Sequence, residues 1–309
     1  VGDVVSAFES LSQAVAEVVE AVAPSVVGVG AGGSGVVVEE GLVATNAHNL
    51  RGDEVIVSFG NGRRVAATVA GVDTDGDLAV LSVDTSGARA IPWAGRAPKL
   101  GEVVLALADP GGRGPRVGVG FVSALDVAFR GPGGRRITGA IEHAAPLGRG
   151  SSGGPLVDGE GRLVGIDTHR LGEGFYLAMP AGEELRSRIE ALARGESPRR
   201  VRLGVALAPP RVARRLRRSV GLPERDGLLV HAVEPGGPAD RAGVEYGDLI
   251  TGVGGTPVTS VDELAACLER LGADGSAELR LLRGAEELTV AVDLRGETAD
   301  DEGADQPET

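Results

Sequence analysis

Ser152 stands in Gly150-Ser151-Ser152-Gly153-Gly154-Pro155-Leu156, a hydroxyl flanked by glycines and followed by an apolar strand start. Glycine permits backbone conformations and close approaches that a Cβ blocks, so a serine held here can face a carbonyl with unpaired N–H groups beside it. Acyl transfer needs that arrangement. Ser-Ser-Gly-Gly is also the composition of a flexible loop, so the rest of the chain must supply a reason to read it as chemistry. A serine hydroxyl is a poor nucleophile until a base takes its proton, and the base needs a third group to fix its tautomer. Two stretches upstream fit those roles. Thr45-Asn46-Ala47-His48 follows the apolar runs Gly35 to Val38 and Leu42 to Ala44, which puts His48 just past a strand or hairpin. Asp77 opens Asp77-Leu78-Ala79-Val80-Leu81, the mouth of a buried strand. Asp73 and Asp75 beside it could suggest calcium, but a calcium loop of the EF-hand kind needs a central glycine and a closing glutamate where an apolar strand follows here. They read as a solvated turn, and no metal site is expected.

The elements that must position these residues are short strands. Val55 to Val57, Val65 to Val72, Leu78 to Val83, Val103 to Leu107, Val117 to Leu125 and Leu163 to Ile166 are apolar or alternating runs. Asn61-Gly62, Pro110-Gly111-Gly112 and Gly131-Pro132-Gly133-Gly134 separate them as turns. With 50 glycines and only 3% aromatic residues, the composition favours this pattern over long helices. Gly28-x-Gly30-x-x-Gly33 superficially matches a dinucleotide fingerprint, but the β-branched Val36-Val37-Val38 follow it instead of a helix, so no nucleotide is expected. Before the strands, Ser10 to Ala23 carries Leu11, Val15, Val18, Val19 and Val22 at helical spacing and ends before Pro24. Residues 1–24 therefore form an N-terminal helical segment, expected to pack its stripe on its own domain.

Taken together, Ser34-Gly35-Val36-Val37-Val38, Thr45-Asn46-Ala47-His48, Asp77 to Leu81, Gly150 to Leu156, Leu163-Val164-Gly165-Ile166 and Ala178-Met179-Pro180 resemble, in order, the blocks of the HtrA/Deg serine proteases. The resemblance implies a mainly β fold: a chymotrypsin-like double β-barrel over residues 25–193, with His48 and Asp77 in the first half and Ser152 in the second. It implies an ATP-independent endopeptidase acting on misfolded or exposed polypeptides, with no cofactor. The N–H groups of Gly150 and Ser152 would form the oxyanion hole, and Leu147, Gly148, Arg149, Leu177 and Ala178 the substrate pocket. It also implies a homo-oligomer, a trimer formed through the N-terminal segment, and an extracytoplasmic (periplasmic or cell-envelope) location, although Val1-Gly2-Asp3 shows no secretory signal.

Two departures stand close to the serine. Relatives carry Thr-Asp-Ala-Ala-Ile-Asn-Pro-Gly-Asn-Ser where this chain has His143 to Ser152, with Arg149 in place of the proline. A non-proteolytic peptide-binding chaperone with a collapsed oxyanion loop is the rival reading. Tyr176-Leu177-Ala178-Met179-Pro180 replaces Gly-Phe-Ala-Ile-Pro, and its apolar character implies cleavage after small or medium aliphatic side chains. Arg149 is expected to point to solvent, and His143 and His169 read as surface histidines.

Glu183 to Ala193 reads as a closing helix and residues 194–200 as a polar linker. From 201 to 295 the resemblance is to an HtrA-type PDZ domain, a β-sandwich or partial barrel with helices. Arg202-Leu203-Gly204-Val205 matches the loop that holds a peptide C-terminus, and Gly227 to Val230, Pro238 to Val244, Gly247 to Ile250 and Gly255 to Val258 follow in order. Ser260-Val261-Asp262-Glu263 is a capping box opening a helix with Leu264, Leu268 and Leu271 on one stripe, Leu264 nearest the peptide and Cys267 a small apolar residue. Arg211 to Arg218 reads as a solvated helix face rather than a membrane-binding surface. Residues 296–309 are acidic and nearly free of apolar groups, a disordered tail. The formal charge of -13 argues against nucleic acid, no apolar run is long enough to span a bilayer, and a single cysteine excludes an intrachain disulfide.

Overall fold

The computed structural model describes residues 2–51, 55–130, 136–172, 174–196, 202–208, 210–271 and 275–295. The turn at 131–134, residues 197–200 of the linker, Val201 and the acidic tail at 296–309 lie outside the described residues. The chain divides between Pro198 and Arg199 into two compact units.

In the first unit, twelve antiparallel strands form two closed barrels. One contains β1 (Val26–Val29), β2 (Gly33–Glu39), β3 (Leu42–Thr45), β4 (Val55–Phe59), β5 (Arg64–Asp73) and β6 (Leu78–Ser82), in the order β1-β2-β3-β6-β5-β4. The other contains β7 (Val103–Ala108), β8 (Arg116–Arg130), β9 (Arg136–His143), β10 (Pro155–Val157), β11 (Leu163–Arg170) and β12 (Tyr176–Pro180), in the order β10-β11-β12-β9-β8-β7. Closure removes the exposed strand edges that an open sheet would leave.

Period-two alternation explains why so many consecutive residues are buried. Val27, Val29, Val37, Val43, Val57 and Leu81 fill the first barrel. Val104, Ala106, Val122, Ile141, Leu156, Val164 and Ala178 fill the second. Their neighbours of opposite phase, Val36, Ala44, Leu78, Val80, Leu105, Leu107, Leu163 and Ile166, form a third cluster outside both barrels. Helices α1 (Gly2–Val22) and α2 (Glu183–Ala193) cover that cluster with Val18 and Val22, and with Leu185, Ile189 and Leu192. The helix before the barrels thus begins at Gly2, earlier than its apolar stripe requires. Among the described side chains of α1, those in its last turns are the packed ones, while Leu11 is exposed, as is Phe8. The Gly28 to Gly33 segment joins β1 to β2 as a hairpin, with no helix at its end.

Asp73 departs from the solvated-turn expectation. Its carboxylate accepts from Arg188 of α2 (2.6 Å) and from the Gly76 N–H (2.8 Å), so it pins the closing helix to the turn before β6. The arginine partner lies in another element, more than a hundred residues along the chain, where no local pattern could reveal it.

The second unit is a sheet of β13 (Val205–Ala208), β14 (Leu228–Val233), β15 (Leu249–Val253), β16 (Thr256–Pro257), β17 (Ser276–Arg283) and β18 (Glu286–Asp293), ordered β13-β14-β15-β17-β18 with β16 on β15. It packs with α3 (Pro210–Ser219), α4 (Pro238–Arg241) and α5 (Val261–Leu271). Leu228, Val230, Ile250, Leu264, Cys267, Leu268, Leu279 and Leu281 share its core. The capping box is formed: Glu263 N–H donates to Ser260 Oγ and Ser260 N–H to Glu263 Oε2, each at 3.2 Å. In α3 the solvated-face reading holds for most arginines but not for Arg217, which is buried and donates to the Pro223 and Gly284 carbonyls (3.1 and 3.0 Å). Among the described residues, no helix is long and apolar enough to cross a membrane.

Candidate active site

β3 ends at Thr45, and a single 3₁₀ turn, Ala47–Asn49, carries His48 away from the first barrel. Asp77 sits immediately before β6, 1% exposed, with its backbone in the left-handed region at φ 53°. A non-glycine residue there is strained unless its surroundings hold it. Asn46 does so by donating its side-chain amide to the Asp77 carbonyl (2.8 Å). The Asp77 carboxylate accepts from His48 Nδ1 (2.9 Å to each oxygen), from the His48 backbone N–H (3.2 Å) and from Thr168 Oγ1 (2.8 Å). A charged acceptor opposite Nδ1 keeps the proton on that nitrogen and leaves Nε2 with a lone pair.

Ser152 belongs to the loop before β10, and first-barrel groups bind its backbone. Its carbonyl accepts from the Ser34 N–H (3.1 Å) and from Asn49 Nδ2 (2.8 Å). Ser34 Oγ donates to the Gly150 carbonyl (2.8 Å), a second tie between the first barrel and this loop. Gly150 (φ 85°) and Gly153 (φ 89°) are left-handed, and a Cβ on them would collide with the Gly32 and Ser34 carbonyls. Only glycine fits there. Among the described residues, neither the Gly150 nor the Ser152 N–H donates to a protein acceptor. The Ser152 hydroxyl donates to the Thr168 carbonyl (2.8 Å), and no hydrogen bond joins it to His48.

Two spaces open beside Ser152. A cleft of about 600 Å³ is lined by residues 30–33, His48, Asn49, Gly150 and Ser152. A smaller cavity of about 160 Å³ is lined by Leu147, Gly148, Arg149, Ser151, Asp167 and Leu177, among others. Arg149 is exposed, as expected from the sequence. Ala178 does not line the cavity; it is one residue out of phase with Leu177 and fills the second barrel instead.

Neither His143 nor His169 is a surface histidine. His143 is 0% exposed, with Nε2 2.9 Å from Asp167 Oδ1 and its ring stacked on Tyr176. Burial pushes the Asp167 carboxyl up, and the adjacent His143 opposes that rise. His169 is half-buried between His48 and Phe129, edge-on to the His48 ring at 5.7 Å between centroids. Thr168 Oγ1 spends its proton on Asp77 and therefore accepts from His169 Nδ1 (2.9 Å). Burial lowers the His169 pKa, Asp77 offsets part of that and His48 adds to it.

In the second unit, a groove of about 580 Å³ runs between β13 and α5, lined by Arg202, Leu203, Gly204, Val205, Leu264 and Leu268, among others. Among the described residues β13 pairs on one side only, with β14, and its residues line this groove. Leu264 and Leu268 are both core residues and groove wall, while Leu271 is largely exposed. The Leu203 and Gly204 N–H groups donate to no protein acceptor among the described residues.

The family described as a trypsin-like peptidase domain matches residues 33–166, and that described as a PDZ domain matches residues 229–283. The putative serine protease HhoA of Synechocystis is 33% identical over 84% of this chain and 69% of its own length. The serine endoprotease DegS of Escherichia coli is 31% identical over 85% of this chain and 76% of its own. Against a probable periplasmic DegP-like endoprotease of Halomonas elongata the identity is 32%, but the chain spans only 55% of that relative. Among solved structures, the serine endoprotease from Yersinia pestis is 30% identical with a TM-score of 0.66, covering 89% of this chain and 95% of that one. The HtrA-type protease AlgW with a decapeptide is 26% identical with a TM-score of 0.68, covering 90% and 97%. Fold and likeness together define a trypsin-like serine endopeptidase joined to a PDZ domain. The chain belongs to the HtrA/DegS-like serine endoprotease family.

Proposed function

We propose that this endopeptidase cuts polypeptides with a triad of Ser152 as nucleophile, His48 as general base and Asp77 as its orienting carboxylate. The observation that carries the reading is the buried Asp77 carboxylate 2.9 Å from His48 Nδ1, in the same unit as a serine whose loop leaves two N–H groups unpaired. Ser152 Oγ attacks the scissile carbonyl and its proton passes to His48 Nε2. The Gly150 and Ser152 N–H groups receive the oxyanion, His48 protonates the leaving amine, and water repeats the sequence to release the acyl-enzyme. In the resting state the hydroxyl rests on the Thr168 carbonyl. A substrate strand that claims this carbonyl with its own N–H releases the hydroxyl toward His48. No cofactor or ATP enters these steps.

The substrates are misfolded or otherwise exposed polypeptides, and the PDZ groove takes C-terminal segments by adding them as a strand to β13, with the Leu203 and Gly204 N–H groups at the terminal carboxylate. Relatives named as periplasmic endoproteases support an extracytoplasmic setting, and AlgW structures with peptides support peptide binding. A homotrimer joined through α1 accords with the exposed Phe8 and Leu11 near its start.

A fluorophosphonate probe tests the triad without a known substrate. Covalent labelling at Ser152, lost in His48→Ala, is the expected result. No labelling under any condition, including added peptides with apolar C-termini, would favour the non-proteolytic binder.

A further inference from the structure

Around Ser152 the charge is the reverse of the molecule's. The chain carries a formal charge of -13. The exposed charged side chains lining the two spaces beside the serine are nevertheless all arginine, Arg51 and Arg64 in the larger cleft and Arg149 and Arg170 in the smaller cavity. The one carboxylate in either lining, Asp167, is buried against His143. Arginine ion pairs among the described residues involve others, such as Arg63, Arg96, Arg162 and Arg188, and none of these four.

The two spaces share Gly150 and Ser152, so a substrate whose carbonyl meets Ser152 Oγ runs from one into the other. Its acyl side lies along Thr168, whose carbonyl holds the resting hydroxyl. The amine leaves on the opposite side, where His48, which must protonate it, lines the cleft together with Arg51 and Arg64. Local structure fixes both arginines there. Arg51 comes two residues after the 3₁₀ turn that carries His48. Arg64 opens β5 opposite Ser58 of β4, which puts it on the same face as Ile56, another residue of the cleft wall.

Resting on the triad reading, we infer that Arg51 and Arg64 select substrates with aspartate or glutamate in the first three residues after the cleaved bond. An extended segment advances about 3.3 Å per residue, so its second and third residues pass along the cleft beyond Ser152 itself. Two guanidinium groups without ion-pair partners favour a carboxylate there. In a chain that elsewhere repels acidic polypeptides, they also make the cleft the place where such a polypeptide can approach.

Two peptides identical except for glutamate or glutamine at the second and third positions after the bond test this, since the two side chains share a shape. In the wild-type protein at low salt, kcat/KM for the glutamate peptide should exceed that for the glutamine peptide by about threefold or more, the gain expected of exposed ion pairs. At 1 M salt, where the screening length falls to about 3 Å, the ratio should approach one. Arg51→Gln and Arg64→Gln should each lower the low-salt ratio, and the double variant should bring it to about one. Both side chains are exposed, so the variants should fold, which thermal unfolding verifies. A wild-type ratio at or below one, a ratio indifferent to salt, or one unmoved in the double variant overturns the inference. Peptides with the glutamates before the bond are the control, and an equal loss there in the double variant overturns it as well. Fluorophosphonate labelling of the same preparation separates the two levels. Labelled enzyme without a glutamate preference refutes the arginine assignment alone, whereas unlabelled, inactive protein refutes the triad reading and the inference with it.

Discussion

Replacing Asp77 by Asn keeps the side chain's shape and removes its charge, which isolates what a buried carboxylate does for His48. In the resting structure the carboxylate accepts from His48 Nδ1, the His48 N–H and Thr168 Oγ1. An amide has one accepting oxygen, so at least one of these donors meets an NH₂ group instead. Two costs follow. The imidazolium formed when Ser152 gives up its proton loses a counter-charge about 4 Å from its centre, worth about 4 kcal/mol at an effective dielectric of 20, or close to a thousandfold in rate. An amide donor facing Nδ1 would also favour the tautomer with its proton on Nε2, which cannot accept from Ser152. The combined loss in kcat should reach about 10³- to 10⁴-fold. The assay is steady-state hydrolysis of a fluorogenic peptide, beside thermal unfolding to verify that the variant folds. A folded Asp77→Asn enzyme within tenfold of wild type would refute the argument that this carboxylate orients and stabilises His48.

Gly150→Ala should fold with a lowered melting temperature and, assayed well below it, lose about 10²-fold or more in kcat, because a Cβ at φ 85° collides with the Gly32 carbonyl and displaces an oxyanion donor. Arg217→Ala should destabilise the second unit by about 2 kcal/mol in urea titrations, since the Pro223 and Gly284 carbonyls lose a buried cationic donor. Burial lowers the His169 pKa from 6.5, so its neutral form contributes stability that is fully present above pH 6.5 and is lost as pH falls through the lower folded value. His169→Gln should therefore lose less stability than wild type on acidification from pH 7 to 5, read as the shift in urea midpoint.

How much of this was legible depended on whether a feature is local in sequence. The strand runs, the capping box at Ser260 and Glu263 and the glycine-flanked Ser152 all announce themselves within a few residues, because turn chemistry, alternation and helix caps act at that range. His143, His169 and Asp73 were misread for the opposite reason. Each acquires its role from a partner that no local pattern reveals: Asp167 for His143, Phe129 and His48 for the fit of His169, and Arg188 for Asp73. A histidine on a short strand looks the same in sequence whether it faces water or a buried carboxylate. Ala178 was misassigned by one residue of strand phase, which is all that separates a barrel interior from its outer wall.

Ser152→Ala gives the most direct test of the central claim that peptide hydrolysis runs through this serine. With an unfolded protein as substrate, the purified variant should lose at least about 10⁴-fold in turnover while retaining its thermal stability. Hydrolysis by Ser152→Ala at the wild-type rate, with contaminating proteases excluded by an inactive mock preparation, would contradict it.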